Sequence, residues 1–274
     1  MWKPSDHTVD ENRTHHFANN TDVELIEISR KYIDTDRYRG EFYIGPLDEL
    51  FNRWYSKNGE TQKLVILLKG ALERYKTEIR YKHYHCNEKI IAHFKDRIKA
   101  EPQPSEENVM SMVTCLDAFY SAGLKYESDK SGIEKLTSFI MRNWTEGLGL
   151  FEQFNEKHAN PNNVNTFLRA LKIGRDPYSF VTKFYHQFNS NYPIYDSKLK
   201  KFLILLFPKL PMNDFKDYIK YYYILNYVLL ESLNKHNLEM GINDFDNAAW
   251  ILMKEKEEQM KEKGEKLTLK SLIN

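Results

Sequence analysis

The sequence predicts an all-α protein. Gly and Pro are few, 11 and 9 of 274 residues, and β-branched runs are scarce. Apolar residues recur at three- and four-residue spacing through most of the chain. No β-hairpin pattern, internal repeat or Gly-rich phosphate loop interrupts that periodicity.

Residues 1–20 are polar and read as a loosely held terminus. Helical spacing then runs through 21–34, 46–57, 60–82 and 86–99. The stretch KAEPQPSEEN breaks it at 99–108, and Ser105 with two acids behind it is an N-cap. Helices are expected at 105–122 and 131–143, followed by a loop or broken turn at WTEGLGLF, 144–151. From 162 to 171, Val164, Phe167, Leu168 and Leu171 share one face. KIGRD, 172–176, is a tight connection, and Asp176-Pro177 opens a helix over 177–188. NSNYP then leads to a helix over 196–207 with Leu199, Phe202, Leu203 and Leu206 in one stripe. FPKLPMN ends it, and long helices follow at 213–235 and 244–263. The expected organisation is a terminus at 1–20, one helical lobe at 21–145 and a second at 146–274.

Composition narrows the function classes. No stretch reaches the 18 to 20 apolar residues of a membrane span, and the first residues lack a signal-peptide core. Cys86 and Cys115 match neither a zinc nor a redox spacing, so a cytoplasmic setting without metal or cofactor is expected. Net charge is only +1, which excludes a globally basic polyanion binder. Locally, 166–201 carries seven basic residues, Arg169, Lys172, Arg175, Lys183, Lys198, Lys200 and Lys201, against the acids Asp176 and Asp196. That excess reads either as a phosphate-facing surface or as ordinary solvated helix faces.

The order helix, short Gly-containing hairpin, helix, loop, Asp at the next helix start resembles the helix-hairpin-helix DNA glycosylase superfamily. The matching residues are Leu171-Lys172-Ile173-Gly174 at the hairpin and Tyr192-Pro193-Ile194-Tyr195-Asp196-Ser197 at the acidic segment. About 45 residues carry the resemblance, and one of the superfamily's two usual hairpin glycines is present. The resemblance implies a two-lobed fold, DNA as partner, a monomer, and hydrolysis of the bond between a flipped base and its sugar. It makes Asp196 the catalytic carboxylate and sets Lys172, Ile173, Gly174 and Arg175 on phosphate, with Lys198 beside them. Some members use a lysine amine to attack C1′, at the start of the helix after the hairpin. Lys183 lies two turns past that point, as a catalytic amine, a phosphate contact or a surface lysine.

The chemistry asks for these residue types independently. Base release passes through a cationic sugar that a fixed carboxylate stabilises. The flipped base needs an aromatic and polar pocket, for which Tyr195, His186 and Trp250 are candidates, with the cluster Tyr221, Tyr222, Tyr223 and Tyr227. Such aromatics also build cores, and Asp196 is equally a helix N-cap. Two other readings stand beside this one. Arg80-Tyr-Lys-His-Tyr-His85 has the Arg-to-His spacing of HEPN-type RNases, with His85 as acid/base and Arg80 on phosphate. A non-catalytic helical DNA-binding module would use Asp196 as a cap alone. The biological setting of a glycosylase would be lesion repair or defence against phage with modified DNA.

Overall fold

The computed structural model describes residues 59–120, 132–157, 159–171, 177–207 and 216–273. The helices expected at 21–34 and 46–57, and the hairpin at 172–176, lie outside the described residues. All regular structure among the described residues is helical. In chain order it comprises α1 (Glu60–Thr77), a 3₁₀ turn (Ile79–Tyr81), α2 (Lys82–Ala100), α3 (Glu106–Tyr120), α4 (Gly132–Arg142) and α5 (Leu150–Asn155). Then follow α6 (Pro161–Ala170), α7 (Tyr178–Phe188), α8 (Ser197–Leu206), α9 (Tyr218–Tyr223), a π-helical stretch (Ile224–Leu230) and α10 (Glu231–Lys235). The last two are α11 (Ile242–Glu262) and α12 (Leu269–Ile273).

Local chemistry explains most boundaries. Ser105 caps α3, its Oγ accepting from Asn108 N at 3.2 Å. Asn160 accepts from Asn162 N at 3.1 Å and Pro161 opens α6, where a missing N–H costs nothing. Asp196 has extended backbone and caps α8, its Oδ1 accepting from Leu199 N at 2.8 Å. Three expectations change. The helix read at 60–82 ends at Thr77, where Glu78 turns extended and a 3₁₀ turn starts afresh. The loop read at 144–151 holds the start of α5. The helix read at 213–235 is interrupted by the π-helical stretch, whose wider turn shifts the faces of Tyr218–Tyr223 and Glu231–Lys235 relative to each other.

Two helices organise the packing. The long α11 lies along α1 and also meets α8, so the last long helix packs against the first described one. An ion pair fixes that contact: Arg74 grips Glu255 through Nε at 3.1 Å and Nη2 at 2.7 Å, and Tyr81 donates to the same carboxylate at 2.8 Å. The shorter α7 packs on α2, α3, α5 and α6. It is buried on nearly all sides, Lys183 and His186 included. Its Phe184, Tyr185 and Phe188 form an aromatic cluster with Phe154 of α5 and Phe167 of α6, with Phe154 and Phe188 stacked at 4.0 Å. No described helix is long and apolar enough to cross a membrane.

Candidate active site

A cavity of about 490 Å³ opens where α2, α3, α7, α11 and the start of α8 meet. That volume suits a small-molecule group, for which sites span roughly 300–1,000 Å³. Its aromatic wall includes Tyr84, Phe119, Tyr120 and Trp250, with Tyr84 edge-on to Trp250 at 4.9 Å. Its charged groups are Glu88, Lys183, Asp196 and Asp246.

The segment before Asp196 is held by side chains from three helices. His186 Nδ1 lies 2.7 Å from the Tyr192 carbonyl, and Tyr218 donates its hydroxyl to the Pro193 carbonyl at 3.0 Å. Ile194 N donates to Asp246 Oδ2 at 2.9 Å, while the Ile194 carbonyl accepts from Tyr221. Tyr195 N donates to Thr182 Oγ1 at 3.1 Å. Chain polar groups satisfied this fully leave little freedom to the residue that follows. Asp196 is therefore positioned twice, by the clamped segment behind it and by the cap ahead.

Lys183 is 5% exposed and donates to the Tyr120 carbonyl at 3.2 Å, with its ammonium 5.4 Å from the Tyr120 ring centre. Burial lowers its pKa, against the opposing pull of the Asp196 and Asp117 carboxylates. Its sequence position on one flank of α7 did not reveal this, because α7 is enclosed on both flanks. Burial also lowers the His186 ring, outweighing its bonds to Tyr192 and Asn243. The Asp246 carboxyl is 8% exposed and pushed well above the usual carboxylate range, chiefly by burial and further by Asp196, against the Ile194 hydrogen bond. Its Oδ1 has no hydrogen-bond partner among the described residues. Burial likewise raises the Tyr120 phenol to about 12.

The other expected site residues fall in different places. Trp250 and His186 line the cavity with Asp196 and Lys183. Tyr195 is not in its wall; the ring packs edge-on against Tyr178 at 4.6 Å and Tyr221 at 5.2 Å. Tyr221 and Tyr223 are buried in the core, and the side chain of Tyr227 lies outside those described. Lys198 forms an ion pair with Glu257, which Lys201 joins at 2.7 Å. Lys172, Ile173, Gly174 and Arg175 lie outside the described residues. Of the seven basic residues in 166–201, one is thus inside the protein and two share a carboxylate, which shrinks the basic surface the sequence suggested.

Arg80 and His85 do not share a helix. Arg80 sits in the 3₁₀ turn, paired with Glu78 and Glu255. His85 lies in α2, its Nε2 2.9 Å from the Tyr75 carbonyl and its Nδ1 3.6 Å from Glu88.

Glu88, Asn243 and Asp246 were missed by sequence reasoning. Asp246 had a readable signal, since it occupies a buried register position in the stripe Ile242, Phe245, Asp246, Ala249. Glu88 and Asn243 sit on partly exposed faces and carried none. No three His, Cys, Asp or Glu side chains gather as metal ligands among the described residues. In comparison with known proteins, the chain matches no family model, no curated protein and no solved structure.

Proposed function

We propose that the protein is a DNA glycosylase that hydrolyses the N-glycosidic bond of a flipped modified or damaged base. The observation that carries the reading is that Asp196 and the buried Lys183 line one aromatic-walled cavity. Asp196 Oδ1 is held by Leu199 N, so Oδ2 is the oxygen available to substrate. The C1′–N bond breaks with its electron pair leaving on the base, and the carboxylate stabilises the cationic sugar. Water adds to C1′, and the proton it loses passes through Asp196 to the departing base. Trp250 and Tyr84 provide the faces on which an extruded base stacks.

The reading keeps a two-lobed helix-hairpin-helix architecture, with Lys172, Ile173, Gly174 and Arg175 on phosphate, a monomer acting on DNA in the cytoplasm, and a role in repair or antiviral defence. A second version of the chemistry is favoured by Lys183 itself. A desolvated amine beside C1′ attacks the sugar and displaces the base, and the opened sugar then forms a Schiff base with the amine. The test is incubation with DNA carrying a broad panel of base modifications, scoring abasic sites. Borohydride trapping of a protein–DNA adduct, lost in Lys183→Met, separates the amine route from the water route. Absence of abasic sites across the panel overturns both.

A further inference from the structure

We propose that the cavity selects a base whose edge carries amino N–H donors, and that the Asn243 carbonyl is one of the acceptors that read it. This rests on the glycosidic reading for identifying the ligand as a base.

His186 fixes the orientation of Asn243. The ring's Nδ1 lies 2.7 Å from a backbone carbonyl, which can only accept, so Nδ1 carries the proton. The enclosed ring is neutral, because burial disfavours its charged form more than its partners favour it. Nε2 therefore presents a lone pair. Asn243 Oδ1 stands 3.1 Å from Nε2, which would set acceptor against acceptor. Amide oxygen and nitrogen exchange by a half-turn with little change of shape, so the NH₂ group donates to Nε2. The carbonyl takes the other amide position, which has no hydrogen bond among the described residues, on an exposed residue of the cavity wall.

The neighbouring charges favour the same ligand. Glu88 on α2, with one oxygen on the Tyr75 hydroxyl, and Asp196 at the start of α8, with one on Leu199 N, each keep a second carboxylate oxygen on the cavity wall. Lys183, the cation among them, gives one of its three hydrogens to the Tyr120 carbonyl. Adenine, cytosine and guanine types bring exocyclic amines to such a wall. Thymine and uracil types bring two carbonyls around a single ring N–H, which would leave most of the edge as acceptors facing acceptors.

The test has two arms on the intact chain. Nitrogen-15 NMR of the His186 ring at neutral pH should show Nδ1 protonated and Nε2 bare. Titration with deoxyadenosine, deoxycytidine, thymidine and deoxyuridine should show the amino nucleosides binding about tenfold tighter or more. Asn243→Ala should remove most of that preference, chiefly by weakening the amino nucleosides. A protonated Nε2, equal or better binding of thymidine, or no nucleoside binding would each overturn the proposal. Amino-selective binding without abasic sites on any DNA would refute the glycosylase and leave the selectivity standing. Abasic sites formed preferentially at thymine- or uracil-type bases would do the reverse.

Discussion

Two neighbouring helices begin with an aspartate cap, and the two caps differ in what surrounds them. Asp217 opens α9: its Oδ1 accepts from Ile219 N at 3.0 Å and from Asn165 Nδ2 at 3.1 Å, and Asn165 Oδ1 in turn accepts from Tyr218 N at 3.3 Å. Asp196 opens α8 by accepting from Leu199 N, one residue further along than the bond at Asp217, and it lines a cavity with a buried lysine. A cap is thus a local fact, while its availability to a ligand is a tertiary one.

Two cavities repeat the contrast. The second, about 510 Å³ beside Arg74 and Arg80, is lined by both arginines and by Glu255, to which both are paired. Those bonds, with that from Tyr81, hold Glu255 below the usual carboxylate range despite its burial. In the first cavity Lys183 rests on a backbone carbonyl and Asp246 keeps an unpartnered oxygen. Paired ions join helices, whereas burying an ionisable group on a single hydrogen bond costs stability.

The largest expected effect sharpens the contrast between the caps. Asp196→Asn should lower base release by roughly 10²–10³. Its unfolding free energy should change by less than about 1 kcal/mol, because Asn caps nearly as well. Lys183→Met should abolish any borohydride-trapped adduct and raise stability by about 1 kcal/mol, since a desolvated ammonium gives way to an apolar chain of similar length. Denaturant midpoints would read the second effect, and a strongly destabilised variant would contradict it.

Glu255→Gln should act oppositely, costing on the order of 2 kcal/mol in the same measurement because it weakens the bonds from Arg74 and Tyr81. For Asp246 the sign follows from a raised carboxyl pKa. Folding favours the protonated form, so its stability contribution is full below the ordinary value of 3.8 and is lost as pH rises through the folded-state pKa. Asp246→Asn should remove that decline. The wild-type-minus-variant difference in unfolding free energy should fall with pH by up to about 1.4 kcal/mol per unit in that window. A flat difference would show an ordinary carboxylate. The smallest effect belongs to Lys198→Ala, a partly exposed ion pair whose loss should cost less than about 1 kcal/mol.

The helical fold was legible because its signals are local. The apolar stripes of α6, α7 and α8, the Ser105 cap and the Asp196 cap all read directly from neighbouring residues. Asp196, Lys183, His186 and Trp250 were also legible as candidates, and they line one cavity. The environment of each was not. Lys183 occupies a flank that would be solvated on a surface helix, and only the packing of α2 and α3 against α7 encloses it. Lys198 read as a free cation because its partner Glu257 is 59 residues away. Asp246 lies 50 residues after Asp196, and its place in the buried stripe of α11 does not say what it meets. The contact that ties it to Ile194 depends on how α11 lies against that segment.

The most direct measurement pairs the two caps. Abasic-site formation on modified DNA and thermal melting should be recorded for wild type, Asp196→Asn and Asp217→Asn. Base release should collapse in Asp196→Asn alone, with melting nearly unchanged in both variants. Retained base release in Asp196→Asn, or an equal fall in Asp217→Asn that tracks its melting, would contradict a catalytic carboxylate and leave Asp196 a helix cap.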